Sequence, residues 1–137
     1  MGAVLVSVEA RHLAQRFYGA FLAADRDALS AVVAPDAVWL VPLETPVSGA
    51  HVGPDGIAAF RGLLSRLSNG TWRPLREDSF DVAPSEWHAV VMDRFVAERE
   101  ERRLDSHEIV VLAIEASRIV RLFHYLHDPR GFEAFWS

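Results

Sequence analysis

The chain has 137 residues, a net charge of −5 and a half-hydrophobic composition, which is the length of one domain with material for a single core. It has no cysteine, so disulfides and thiolate chemistry are excluded. Its 14 basic residues are all arginine and form no basic stripe, so nucleic acid is not an expected partner.

In chain order, Ser7 is placed to cap a first helix, with Glu9 in its first turn. Leu13, Phe17, Ala20, Phe21 and Ala24 then recur at helical spacing. Asp25 or Asp27 caps a short second helix that ends before Pro35, which makes both carboxylates structural. AVWLVP (37–42) reads as a strand and LETPVSGAHVGPDG (43–56) as loop. Pro54 opens a third helix, with Asp55 in its first turn and an inner stripe of Ile57, Phe60, Leu64 and Leu67, stopped by SNG. The period then changes to two. TWRPLREDSFDVA (71–83), WHAVVMDRFVAER (87–99), SHEIVVLAIEA (106–116) and RIVRLFHYLH (118–127) read as strands. EREERR (98–103) is a solvated hairpin end, EAS a tight connection, and PRGFEAFW a closing turn or short helix.

Helices followed by a meander predict a single α+β domain over residues 1–137. A cone-shaped, curved antiparallel sheet would wrap around the N-terminal helices and leave a cavity open at one end. No window approaches the roughly 20 apolar residues of a membrane span, and MGAVLVSVEA lacks the basic start of a signal peptide. A cytoplasmic protein with no membrane partner is expected.

The stretch RLFHYLHDP (121–129) carries two histidines three apart. Strand alternation places Leu122, His124 and Leu126 on one face, and Arg121, Phe123, Tyr125 and His127 on the other. The histidines therefore cannot clip one metal unless a bulge intervenes. No other His, Asp or Glu cluster has ligand spacing, so no metal is expected. No glycine-rich phosphate loop is present, and no cofactor is expected.

RFYGAFLAADRDALSAVVAPDAVWLVP, VSGAHVGPDGIAAF and EASRIVRLFHYLHDPRGFEAFW, in this order and spacing, resemble the SnoaL-like group of nuclear transport factor 2-like domains over nearly the whole chain. Relatives of that group include polyketide cyclases, ketosteroid isomerases and limonene-epoxide hydrolase-like enzymes. The resemblance implies that the face of His124 is the cavity face, with His124 where cyclases and epoxide hydrolases carry an inward Asp. It argues against an isomerase of the ketosteroid design, whose base would fall on Val41 and whose oxyanion-hole tyrosine on Phe17. It also damages the epoxide hydrolase design, which keeps Arg94 but has Val96 and His124 at its two aspartates. The cavity implied by the resemblance is lined by Phe17, Trp39, Val41, Met92, His107, Ile109, Leu122 and Leu126. His107 also sits beside a charged turn, and His51 is placed for the cavity mouth; His88 carries no signal, and Asp128 goes with the strand end.

These residues lead to an expected enzyme of secondary metabolism, cofactor-free, that cyclises, isomerises or dehydrates an apolar polyketide- or terpenoid-like substrate. His124 would be general base or acid, and Arg94 would meet developing oxyanion charge. The alternatives are a non-catalytic ligand-binding or dimerisation module and an epoxide-opening enzyme. Phe95, Phe123 and Tyr125 are expected on an uncovered outer face that forms a homodimer.

Overall fold

A computed structural model describes the backbone of residues 2–75, 81–84 and 87–137 and the side chains of residues 9–75 and 87–137. Helix α1 spans Gly2–Leu22 and α2 spans Arg26–Val32. The first helix begins upstream of Ser7, which lies inside it rather than at its cap. Leu13, Phe17, Ala20 and Phe21 are buried as their spacing requires, whereas Ala24 lies past the helix end at φ 52°. Asp25 is the cap of α2: its carboxylate accepts a hydrogen bond from the Ala28 N–H at 3.1 Å.

Strand β1 (Val33–Val41) leads to β2 (Gly49–Val52), which pairs with it antiparallel. This short strand lies in the segment that reads as loop. Gly49, Ala50 and His51 have weak strand preference, and the β1 ladder holds them extended. Helix α3 (Gly53–Leu67) buries Ile57, Phe60 and Leu64. Gly53 is required at its start: φ is +68°, and a Cβ there would lie 2.5 Å from the Pro35 carbonyl oxygen.

The remaining strands are β3 (Arg73–Pro74), β4 (Asp81–Pro84), β5 (His88–Arg99), β6 (Arg102–Glu115) and β7 (Arg118–Leu126). Of the long strand expected over 71–83, residues 76–80 lie outside the described residues. The sheet order is β2-β1-β7-β6-β5-β3, with β4 also on β5. The meander β5-β6-β7 is antiparallel as expected. The sheet as a whole is mixed, because β1 runs parallel to β7. Helices α1 and α2 precede β1, and β2, α3, β3 and β4 come between it and the meander, whose last strand lies beside β1 in the same direction.

The core fills the inner face of the sheet against α1, α2 and α3. Helix α4 (Pro129–Trp136) adds Phe132, Phe135 and Trp136 to it. Asp128 is the N-cap of α4 and accepts from the Gly131 N–H at 3.0 Å. The guanidinium of Arg99 donates to the Phe135 and Trp136 carbonyls, and that of Arg102 to the Ala134 carbonyl. Two cations thus tie the C-terminal end of α4 to the β5–β6 hairpin. Among the described residues no helix is long and apolar enough to cross a membrane.

Candidate active site

The site is set by one irregularity in the β6–β7 hairpin. The turn at Ala116 and Ser117, both at positive φ, starts the ladder as Glu115↔Arg118 and Ile114↔Ile119. The next pair is Ala113↔Arg121, so Val120 is an extra residue on β7. A one-residue bulge exchanges which residues share a face. Beyond it His124 is opposite Val110, and Leu122 is opposite Leu112. The inner face of β6 is therefore Leu104, Ser106, Glu108, Val110 and Leu112, all buried. Strand β5 follows in register, with Asp93 opposite Glu108 and Phe95 opposite Ser106, again all buried.

This register brings acid–base groups together inside the cone. His124 Nε2 lies 2.5 Å from Glu108 Oε1, and both side chains are 5% exposed. On the other side of the ring, the Trp39 indole N–H donates to His124 Nδ1 at 3.1 Å. Trp39 is aimed there by β1, which pairs it with Leu122 on β7. Tyr18 reaches the same place from α1. Its phenol is pushed well above the usual value, by burial first and then by the charges of Asp93 and Glu108, so it stays protonated. His124, Glu108, Trp39 and Tyr18 line a cavity of about 20 Å³ whose other walls are apolar and mostly aromatic: Phe21, Phe60, Trp72, Phe95, Phe132 and Trp136, with Leu64 and Val110. The Trp136 Nε1 in that wall is buried without a hydrogen-bond partner among the described residues. A cavity of that size holds roughly one water.

The structure places the expected site residues in two groups. Trp39 and His124 line the cavity. Val41 and Leu122 are fully buried on the same inner face, Phe17 is buried beneath Trp39, and Leu126 is partly buried against the core. Arg94, Met92, His107 and Ile109 are on the outer face, because the Val120 bulge turns them outward. Arg94 forms a bidentate pair with Asp105 at 2.7 Å for both contacts and does not converge with His124. Met92, His107 and Ile109 border a separate outer groove of about 270 Å³ with Tyr125 and His127. Phe95, expected on the outer face, is instead buried and stacked on Trp72 at 4.7 Å.

His124 and His127 do lie on opposite faces, and His127 packs edge-on against His107. His51 stacks on Phe60 with its Nε2 3.0 Å from the Val47 carbonyl, and His88 is exposed. Among the described residues, no three His, Asp or Glu side chains are gathered to hold a metal ion.

Glu108, Asp93 and Tyr18 are the polar residues that strand and helix patterns missed. In SHEIVVLAIEA both alternating sets contain apolar residues, and a charged Glu reads as the solvent set. The signal for Tyr18 was its neighbour Phe17: a helix face wide enough for both is buried on more than one side.

Comparison with known proteins gives a match to the SnoaL-like domain over residues 14–122. Uncharacterized proteins of Mycobacterium tuberculosis and Mycobacterium bovis are 28% identical over 125 residues, which is 91% of this chain and 94% of theirs. Among solved structures, Bal32a from a soil-derived mobile gene cassette superposes with a TM-score of 0.85 at 23% identity, covering 96% of this chain and 99% of that one. An NTF2-like protein of Burkholderia xenovorans LB400 has a TM-score of 0.80 at 18% identity, covering 96% and 98%. TerC, co-crystallized with polyporic acid, has a TM-score of 0.73 at 14% identity, covering 93% and 97%. The structural likenesses give the fold, which is NTF2-like.

Proposed function

The chain belongs to the SnoaL-like domain family, and from that premise we propose that it is an acid–base enzyme acting on an apolar small molecule inside the cone, with the His124–Glu108 pair moving the proton. The observation that carries this reading is the 2.5 Å contact between His124 and Glu108, buried at a cavity with otherwise mostly aromatic walls. Burying a carboxylate and an imidazole there is costly for a core that needs only packing. Titratable groups paired in an apolar pocket are the usual equipment of proton-transfer sites. Cyclisation, isomerisation and dehydration all reduce to proton removal and return, which these groups supply without an added cofactor. TerC, of the same fold, was co-crystallized with polyporic acid, which supports small-molecule binding by this fold. Such a ligand must displace aromatic side chains, since the cavity now holds about one water.

That small volume favours a second reading, a non-catalytic ligand-binding or dimerisation domain. In either reading the outer face serves a homodimer. Met92, Ile109 and Tyr125 lie side by side across β5, β6 and β7, with exposed Leu40 and Phe123 beyond them. No helix covers this apolar surface among the described residues.

The deciding experiment is a panel of enolisable ketones, hydroxyketones and epoxides assayed with the purified protein and with Glu108→Gln. Turnover by the native protein that is lost in the variant supports the enzyme. Binding without turnover, unaltered by the variant, supports the module.

A further inference from the structure

We infer that Trp39 is a positioning residue: its indole N–H holds His124 in the neutral form protonated at Nε2, and this leaves Glu108 as the group that takes a proton from the ligand. The inference rests on the functional reading above and deepens it.

The argument is one of donors and acceptors. An indole nitrogen can only donate. Trp39 Nε1 is 3.1 Å from His124 Nδ1, so Nδ1 must present its lone pair. A neutral imidazole with an accepting Nδ1 carries its proton on Nε2. Nε2 faces Glu108 Oε1 at 2.5 Å, so the imidazole donates there. Protonating Nδ1 would set an N–H against the indole N–H, a clash between two buried donors, with the His124 side chain at 5% exposure. Both nitrogens of His124 are thereby engaged, one lone pair by Trp39 and one proton by Glu108. Neither is left to take a proton from a ligand. Glu108 has a second carboxylate oxygen that can accept, and the residue lines the cavity.

In the step this implies, a ligand C–H or O–H proton moves to the Glu108 carboxylate. The bonding electron pair stays on the ligand, and the neutral carboxylic acid later returns the proton. His124 steadies the carboxylate throughout, as the donor that Trp39 has oriented. Trp39 can hold this line because its ring is packed on Phe17, Phe21 and Phe60 at centroid distances of 5.8, 4.8 and 5.1 Å. Among the described residues, other titratable groups facing this site include Tyr18 and Asp93, His51, and Arg61 over the Trp72 ring.

The test reads the tautomer directly, by long-range nitrogen–proton NMR of histidine-labelled protein near neutral pH, with the His124 signals assigned by their loss in His124→Gln. The expected result is an unprotonated Nδ1 and a protonated Nε2. Replacing Trp39 by 3-benzothienylalanine, which keeps the ring size and removes the N–H, should move the Nδ1 resonance toward that of a tautomer mixture. Glu108→Gln should leave Nδ1 unprotonated. A protonated Nδ1 in the native protein, a tautomer unmoved by the isostere, or one that flips in Glu108→Gln would each overturn the inference. None of these readings needs a substrate. A locked tautomer alongside full turnover in Glu108→Gln would therefore sink the functional reading and leave the role of Trp39 standing.

Discussion

Val110 and His124 are direct partners across β6 and β7, although an unbroken hairpin from the Ala116–Ser117 turn would set His124 against Ile109. That single step places Glu108, rather than His107, on the face that His124 shares. The whole candidate site follows from it: Glu108 beside the imidazole, Asp93 opposite Glu108, and Arg94 turned away.

Substituting the pair should abolish catalysis and keep the fold. With a substrate from the panel in hand, Glu108→Gln and His124→Gln should each lower the rate by about 10²–10⁴, the usual worth of positioned proton transfer. Circular dichroism should be unchanged. A loss of less than about tenfold in both variants would mean that another group moves the proton.

Arg94→Met should leave turnover and ligand affinity as they are, and so should His127→Ala. Both side chains are on the outer face. The Arg94 hydrogen bonds and charge hold the Asp105 carboxyl below its usual 3.8. A depressed carboxyl contributes stability above the unfolded value and loses it as pH falls through the folded one. The variant should therefore lose a small acid-side dependence just below pH 3.8, seen in thermal midpoints at low salt and screened at high salt.

Phe17 belongs to the core, fully buried against Tyr18, Phe21 and Trp39. Phe17→Ala should cost about 3–5 kcal/mol in urea unfolding, the range for deleting a buried ring. A cost below about 1 kcal/mol would mean that the ring lines open space.

His51 should give the stability curve a slope. Burial, as the leading cause, holds its folded imidazole below the usual 6.5, so the unfolded chain binds this proton more tightly. Stability is then complete above pH 6.5 and falls as the pH drops from there toward the folded value. His51→Gln should flatten that segment of a denaturation series measured across pH 5–8, while His88→Gln, on an exposed residue, should not.

The outer face should govern self-association. Phe123→Asp and Tyr125→Asp replace exposed residues of the apolar row without touching the core. Each should shift the sedimentation profile of the native protein from dimer toward monomer at micromolar concentration. A native protein that is already monomeric would refute the dimer.

Much of the fold was legible because its signals are local. The Asp25 cap, the Ile57–Phe60–Leu64 stripe and the Ala116–Ser117 turn each follow from a few adjacent residues. The faces of β1 and β7 were legible too, since Trp39 and His124 alternate with residues that are more exposed. The faces of β5 and β6 were not. They depend on an unpaired Val120 in the next strand, and valine carries no mark of a bulge. The parallel β1–β7 pairing was hidden for a related reason: nothing in either strand records which long-range partner it will have.

Among the described residues, strand β7 joins two halves of the sheet that otherwise share no ladder: β2 and β1 on one side, β6, β5, β3 and β4 on the other. On a ribosome, residues 118–126 emerge after every other strand. Until then β1 has an open edge, and the β5–β6 hairpin has another. Assembly of the cone is therefore a late, long-range event, paced by loop closure between residue 33 and residue 119 rather than by the early helices.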